Sequence, residues 1–292
     1  TRRVVNIAVL IPAVSPETDY WSYPLNGIKK AAAELKQFGL RVKPHLYNPD
    51  EKETFIRAAR EMLEQAPQGV LMAPSFVEES IALSAEIRRQ EIPLVFINSD
   101  LPDQDNLSYI GPDLFQSGRL AAQLAGMRVQ EDDRILVLNI SGELENDHHL
   151  LRKEQGFRSF FTDSGSSITV QTLHIRETSP AAVEKAIAAA MEAGEPVRAV
   201  FVTNSRVNVV AAILKKRKRT GISLIGYDFL KKNIRHLGSG DIDFLICQRP
   251  QEQGYLGIMA LYRHLFRTGT NEPKVYMPID IITKENYAYY KG

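Results

Sequence analysis

Polar side chains that can form two hydrogen bonds at once follow several apolar runs of the sequence, close to the point where each run ends. Asn204, Asp228 and Gln248 occupy such positions, and Arg152 lies in the first turn of a helical stretch that follows another run. Amide, carboxylate and guanidinium groups can each share two hydrogen bonds with neighbouring hydroxyl groups. These residue types therefore favour the binding of a small polar ligand.

Aromatic residues accompany these polar groups, as expected where rings cover the apolar faces of a sugar. Trp21 is the only tryptophan, and it lies between Tyr20 and Tyr23 after the first apolar run. A sugar is accordingly the predicted ligand. The predicted ligand contacts are Tyr20, Trp21, Tyr23, Ser75, Phe76, Asn98, Asp100, Arg152, Asn204, Asp228, Phe229 and Gln248.

Sequence patterns typical of catalysis or metal binding are weaker than the pattern that predicts ligand binding. His148 and His149 stand near Glu143, Glu145 and Asp147, but adjacent helical residues point about 100° apart and no third ligand has metal-site spacing. No pair of residues has a defensible nucleophile–base or acid–base relation. We therefore expect a binding protein, not an enzyme, with no catalytic residue, no cofactor and no metal.

The elements that must position these residues alternate between short apolar runs and amphipathic helical stretches. Apolar runs without strict polar alternation indicate parallel strands that are covered on both faces. About ten such strands occur, and the alternation restarts near Gly111-Pro112. The sequence predicts an α/β fold with two doubly wound parallel sheets, in which ligands bind beyond the carboxyl ends of the strands.

Composition narrows the class of protein further. The chain has 292 residues, with 36 Lys and Arg against 35 Asp and Glu, so its formal net charge is +1. This balance argues against nucleic acid binding by the chain itself, since phosphate neutralisation requires a clustered basic surface. Cys247 is the one cysteine, which excludes an intramolecular disulfide and favours a reducing compartment. No apolar run approaches the ~20 residues of a membrane span.

Three stretches, in this order and spacing, resemble a known family. They are Leu107 to Leu120 with Gly111-Pro112-Asp113 and Gly118, then Arg152-Lys153-Glu154-Gln155-Gly156-Phe157, and finally Ile222 to Asp228 followed by Phe244 to Pro250 and Gly254. The last stretch resembles the pattern "strand, G-Y/F-D, strand, x-Q-x-P, G". Nearly the whole chain resembles the type 1 periplasmic-binding fold, and more closely the effector-binding domain of LacI-type transcriptional regulators.

The resemblance implies roles for individual residues. Asp228 and Gln248 match the ligand-contacting Asp and Gln of the family, and Asn204 matches a position that often holds Asn or Asp. The family's Arg usually lies three residues before the Gly, where this chain has Lys153. Arg152, four residues before, is the favoured cationic contact because a guanidinium can bind two oxygens at once.

The resemblance also implies a domain plan. One lobe is expected from 1–111 plus 249–276, and the other from 112–248 plus 277–292, joined by a three-strand hinge. Ligand bound between the lobes would favour closure and transmit it, in a homodimer, to operator DNA through an upstream helix-turn-helix domain. The opening Thr1-Arg2-Arg3 fits a boundary just after an interdomain linker.

Two functions share this fold. The first is an effector-sensing domain of a cytoplasmic LacI-type regulator, which binds a mono- or disaccharide and no membrane. The alternative is an extracytoplasmic, periplasmic sugar-binding protein of an ABC transporter or chemoreceptor system. The discriminating features are the upstream sequence and the oligomeric state.

Overall fold

A computed structural model describes residues 4–15, 19–101, 104–142 and 147–291. The chain divides into two compact units. Unit 1 consists of the chain up to Pro112 together with Arg249–Pro278, and unit 2 consists of Asp113–Gln248 and the chain from Ile279 onwards. The boundary between Gln248 and Arg249 coincides with the one expected for the two lobes, and the other two lie one and two residues further along the chain.

Strands of both units are short and mostly parallel. They are β1 (Val5–Pro12), β2 (Leu40–Tyr47), β3 (Gly69–Met72), β4 (Leu94–Ile97), β5 (Ser108–Gly111), β6 (Arg134–Ile140), β7 (Thr169–Ile175), β8 (Val197–Val202), β9 (Ser223–Tyr227), β10 (Phe244–Cys247), β11 (Lys274–Tyr276) and β12 (Asp280–Ile282). In the described chain, unit 1 holds a sheet of order β11-β5-β4-β3-β1-β2 and unit 2 a sheet of order β12-β10-β9-β8-β6-β7. Their pairs are parallel except for β10 with β12.

Helices connect most successive strands, as the alternating sequence predicts, whereas β5 follows β4 and β12 follows β11 without one. They are α1 (Ser22–Leu35), α2 (Lys52–Glu64), α3 (Val77–Arg89), α4 (Leu114–Gly126), α5 (His148–Asp163), α6 (Pro180–Glu192), α7 (Val207–Lys216), α8 (Lys231–Ser239) and α9 (Pro250–Phe266). None of the helices in the described part of the chain has both the length and the apolar character that a bilayer crossing requires. The predicted α/β fold with two doubly wound sheets is confirmed.

The central strands of each sheet are buried on both faces, which explains the absence of polar alternation along them. In unit 1, Ile7, Val9 and Ile11 of β1 belong to the cluster that contacts α1 and α9. Ala8 and Leu10 of the same strand belong to the opposite cluster, which includes residues of α2 and α3. Burial on both faces of the sheet thus selects continuous runs of Val, Ile and Leu.

Candidate functional site

The strands β6, β8, β9 and β10 are neighbours in unit 2 and run parallel, so their carboxyl ends meet at one edge of the sheet. The residues that follow are where this fold class binds ligands. Asn204, Asp228 and Gln248 lie at these ends, and Lys153 reaches them from α5. We call these four residues the strand-end cluster.

Asp228 is the most constrained member of the cluster. Its backbone is in the left-handed region, with φ of 76°, and its N–H donates to Ile246 O at 3.0 Å. The side chain is 7% exposed, and Oδ1 has no hydrogen-bond partner among the described residues. Burial raises the pKa of Asp228 to about 6, against the opposing effects of Lys153 and of a hydrogen bond from Gln248. A buried carboxylate oxygen in this state is suited to accept a hydrogen bond from a ligand.

Lys153 supplies the buried positive charge. It is 3% exposed, its Nζ donates to Thr203 O at 3.1 Å, and the same Nζ lies 3.7 Å from the centre of the Tyr227 ring. Burial lowers the pKa of Lys153 to about 8, while the charges of Asp228 and Asp147 raise it. Lys153 and Asp228 thus place opposite charges in one buried region.

Arg152, the favoured cationic contact, is not part of this cluster. It is exposed, its guanidinium carbon lies 4.9 Å from the centre of the Phe115 ring, and Nη1 donates to Gln155 Oε1 at 3.0 Å. Consecutive helical residues point about 100° apart, so α5 can bury only one of the two cations. The structure places Lys153 there.

Two asparagines tie the strand ends together. Asn204 Nδ2 donates to Ile140 O at 2.8 Å, and its Oδ1 accepts from the Arg206 N–H at 3.2 Å. Asn233, which is fully buried in α8, directs Nδ2 at the carbonyl oxygens of Tyr227 and Asp228 at 3.0 Å and of Ser205 at 3.2 Å.

In unit 1, the structure brings together Tyr20, Trp21 and Asn98 of the predicted contacts. Tyr20 Oη donates to Asn98 Oδ1 at 3.1 Å, and the Tyr20 and Trp21 rings meet edge to face with centres 5.1 Å apart. Asn98 has a left-handed backbone, with φ of 69°, and its N–H donates to Oε1 of the buried Gln253 at 2.9 Å. Hydrogen bonds therefore hold both the side chain and the backbone of Asn98 in place.

Other predicted contacts in unit 1 are engaged elsewhere. Phe76 is fully buried and packs in the core, 5.8 Å between ring centres from Phe55. The structure thus corrects the prediction for Phe76, because its ring is enclosed by protein. Ser75 Oγ accepts from Tyr47 Oη at 2.8 Å, and Asp100 Oδ2 lies 3.8 Å from Lys274 Nζ.

Tyr23 and Phe229 complete the predicted set. Tyr23 is half-buried, and its N–H donates to Tyr20 O at 3.1 Å at the start of α1. Phe229 packs edge to face on Tyr290, with ring centres 4.8 Å apart, at the margin of the core of unit 2. Its ring therefore serves packing within unit 2.

The histidines and carboxylates near the start of α5 form no metal-binding group within the described residues. Glu143 and Glu145 lie outside the described residues, and within the described ranges no three His, Cys, Asp or Glu side chains are grouped for a metal ion. Burial, followed by the charges of Lys153 and His148, lowers the pKa of His149 to about 3.

Two surface cavities lie away from the predicted contacts. One, of about 530 Å³, is lined by residues of α6, α7 and α8. The other, of about 390 Å³, is lined by residues that include Arg88, Asp105 and His264. Neither of these two cavities includes a member of the strand-end cluster.

The residue patterns of the sequence do not single out Thr203, Asn233 or Gln253, and they favour Arg152 over Lys153. A signal exists for two of them. Lys153 shares helical spacing with Leu150 and Phe157, and all three are buried. Asn233 likewise lies between Leu230 and Leu237 at helical spacing. A polar residue within an apolar helical stripe is thus informative, because burial requires it to have partners.

A family profile described as a periplasmic binding protein domain matches residues 7–269. The chain belongs to this family. A candidate rhizopine-binding protein from Rhizobium meliloti is 22% identical over 277 residues, covering 91% of this chain and 87% of the relative.

Solved structures with the same fold include a candidate regulator and sugar-bound solute-binding proteins. A candidate LacI transcriptional regulator from Bacteroides fragilis is 26% identical, with a TM-score of 0.91 over 99% of this chain and 100% of the other. An ABC transporter solute-binding protein from Burkholderia graminis, in complex with D-arabinose, is 15% identical, with a TM-score of 0.87 over 100% and 99% of the two chains. A solute-binding protein from Agrobacterium vitis, bound to D-tagatopyranose, is 21% identical, with a TM-score of 0.83 over 97% and 95%.

Proposed function

We propose that this periplasmic-binding-type domain binds a small polyhydroxyl ligand of the sugar class through the strand-end cluster of unit 2. The observation that carries the proposal is the buried Oδ1 of Asp228, which lacks a hydrogen-bond partner among the described residues. An unsatisfied buried carboxylate oxygen is costly, and a ligand hydroxyl removes that cost by donating to it.

The charge balance of the cluster favours a neutral ligand. Lys153 and Asp228 are both buried and are close enough for the charge of each to shift the pKa of the other. A ligand with net charge would leave one of them uncompensated, whereas adjacent hydroxyl groups can donate to the carboxylate and accept from a cation or an amide. The sugars in the Burkholderia and Agrobacterium structures belong to this class.

The test of the ligand class is a thermal-shift screen of neutral sugars and nucleobases, followed by calorimetry on the hits. Ligand raises apparent stability by mass action, by about 2.7 kcal/mol at a concentration one hundred times Kd. D-arabinose and D-tagatose are the first probes. If only charged compounds stabilise the protein, the assignment to neutral sugars is wrong.

We further propose that the domain is the effector sensor of a LacI-type transcriptional regulator. Two findings support this role: the resemblance of Ile222 to Asp228 and Phe244 to Gly254 to that group, and the likeness to the Bacteroides candidate regulator over 99% of this chain. The role entails a cytoplasmic homodimer that reaches operator DNA through a separate upstream domain. It involves no turnover of the ligand, so bound sugar is expected to be recovered unchanged after incubation with the protein.

Two measurements test this role. The complete gene should encode a helix-turn-helix segment upstream of Thr1, and light scattering during gel filtration should report twice the monomer mass of 32.8 kDa. A secretion signal upstream, with no helix-turn-helix, would refute the regulatory role and leave the ligand proposal standing.

A second candidate role is capture of a sugar for an ABC transporter or a chemoreceptor. It is favoured by the sugar-bound solute-binding proteins, which share the fold over nearly the whole chain. That role entails an extracytoplasmic protein, and a monomeric state would favour it because transport receptors act as single clamps.

A further inference from the structure

We propose that Asn233 is a positioning residue that sets the distance between Asp228 and Asn204 and thereby the selectivity of the site among stereoisomeric sugars. The inference rests on the proposed function for its selectivity component. The part that concerns the restraint on the strand ends applies to the unliganded protein and does not depend on the ligand.

The orientation of the Asn233 amide is determined by its surroundings. Three carbonyl oxygens surround Nδ2, those of Tyr227 and Asp228 at 3.0 Å and that of Ser205 at 3.2 Å. Carbonyl oxygens only accept hydrogen bonds, so the group that faces them must be the amide nitrogen. Because the side chain is fully buried, water does not compete for these carbonyls.

The backbone that Asn233 holds is unusual. Asp228 adopts a left-handed conformation, with φ of 76°, and such a conformation in a non-glycine residue persists only when its surroundings enforce it. The Asp228 N–H is fixed by Ile246 O at 3.0 Å, and the carbonyls on both sides of the turn are fixed by Asn233. Asn233 therefore completes the restraint on the residue that presents the ligand-binding carboxylate.

The same amide also connects two strand ends. Ser205 follows β8 directly after Asn204, and Asp228 follows β9 directly after Tyr227. Asn204 is in turn bonded to Ile140 O at the end of β6. The ends of β6, β8 and β9 are thus joined in series through two asparagine side chains, and Asn233 is the connection between the two ligand-facing positions.

A fixed spacing matters for stereochemical selectivity. Sugar epimers differ in the direction of one hydroxyl group, and a site rejects the wrong epimer only if its polar groups cannot move to follow that hydroxyl. Loosening the connection between Asp228 and Asn204 should therefore reduce discrimination more than it reduces the affinity for sugars in general.

The first experiment compares hydrogen exchange in the unliganded wild-type protein, Asn233→Ala and a control, Asn208→Ala. Asn208 lies on the neighbouring helix α7, outside the strand-end cluster. In Asn233→Ala we expect exchange at 204–206 and 226–229 to be at least tenfold faster, relative to β6 as an internal reference. The control should match the wild type. Equal exchange in Asn233→Ala and wild type would overturn the inference. If Asn233→Ala does not fold, Asn233→Gln, which keeps the donors on a longer arm, is expected to show the same local effect.

The second experiment measures affinities for epimer pairs by calorimetry, with D-arabinose and D-ribose as one pair and D-allose and D-glucose as the other. We expect the wild-type ratio of affinities within a bound pair to fall at least tenfold in Asn233→Ala. If Asn233 had a purely structural role, the affinities for both epimers would fall by the same factor, and that result would overturn the inference.

A double variant provides a further check. If Asn233 acts through Asp228, Asn233→Ala should cause no further loss of affinity in the Asp228→Ala background. Should the wild type bind none of these sugars, the proposed function fails, and hydrogen exchange alone decides whether Asn233 positions the strand ends.

Discussion

At the scale of single residues, Asp228 and Lys153 are the buried charged groups of the proposed site. Both are nearly inaccessible to solvent, and each is held at a defined backbone carbonyl or amide. Buried opposite charges of this kind contribute little to stability by themselves. We therefore attribute their arrangement to the proposed recognition of a ligand.

Replacing Asp228 or Gln248 by alanine should weaken ligand binding by about 1–3 kcal/mol each, because each change leaves polar groups of the ligand unpaired. Calorimetry with the best sugar from the screen measures the loss. Asp163→Ala serves as the control, since this carboxylate is exposed on α5. Unchanged affinity in both site variants would place the ligand elsewhere.

The raised pKa of Asp228 predicts a pH-dependent stability. With a pKa of about 6 in the folded protein and about 4 in the unfolded chain, the folded state binds the proton more strongly. The Asp228 contribution to the free energy of unfolding is therefore full below pH 4 and is lost as pH rises through 6, by up to about 3 kcal/mol. Denaturant titrations of unliganded wild type and Asp228→Asn from pH 4 to 7 test this. The stability difference, wild type minus variant, should fall with rising pH, and a constant difference would contradict the prediction.

Trp21 offers an optical test of the first loop. Its ring is half-buried and touches Tyr20, which is bonded to Asn98. If these residues contact ligand, the Trp21 emission should shift or change in intensity on titration with sugar. Tyr20→Phe, which removes the hydrogen bond to Asn98, is the matched variant for this titration. Emission that is insensitive to saturating ligand would place this loop outside the site.

Residue types and periodicity predict that Asp228, Gln248 and Asn204 follow strands, and the structure has them at the ends of β9, β10 and β8. Their contact with a ligand stays a prediction. For the cationic contact, the geometry of a guanidinium favours Arg152, whereas helical periodicity buries Lys153 and leaves Arg152 exposed. Phe76 was misjudged for a related reason: a residue next to a strand end can turn into the core as readily as towards ligand.

At the scale of elements, two helix pairs pack backbone to backbone through glycines. In unit 2, a Cβ at Gly118 would lie 1.9 Å from Lys153 O, and a Cβ at Gly156 would lie 1.9 Å from Phe115 O. In unit 1, a Cβ at Gly27 would lie 1.9 Å from Gln251 O. The close approach of α4 and α5 thus positions the segment of α5 that carries Lys153.

Gly118→Ala and Gly156→Ala should each destabilise the protein by about 3 kcal/mol, because the new methyl group forces α4 and α5 apart. Both should also weaken ligand binding through displacement of Lys153. Gly126→Ala is the control at the end of α4, where a Cβ would make ordinary contact at 3.6 Å with Phe161, and it should change stability by less than about 1 kcal/mol. Thermal unfolding measures all three, and equal effects would contradict this role of the glycines.

Most elements were predictable because strands buried on both faces and amphipathic helices leave different periodicities. Ser179 and Pro180, for example, predict the start of α6, and Ser179 Oγ accepts from the Ala182 N–H at 3.4 Å. The strand β11 was not predicted. It has three residues, and Lys274 and Tyr276 are exposed, so it carries no apolar run. Its pairing with β5 depends on tertiary structure.

At the scale of the whole molecule, closure of two lobes on a ligand stays a prediction of the family resemblance. Small-angle X-ray scattering with and without saturating sugar measures it directly, and the radius of gyration should decrease on binding. Asp228→Ala at the same sugar concentration is the control, and its radius should remain that of the free protein. An unchanged radius in the wild type would contradict ligand-driven closure.

Each unit is assembled from segments that are far apart in the chain, and this has a consequence for biosynthesis. A nascent polypeptide that ends at Pro112 lacks α9, which covers Leu71 and Ile97, and lacks β11, which pairs with the edge of β5. Unit 1 must therefore persist with an uncovered apolar face and an open strand edge until the ribosome has passed Pro278. During that interval the chain is exposed to aggregation, and a nonsense mutation before α9 would leave unit 1 permanently in that state.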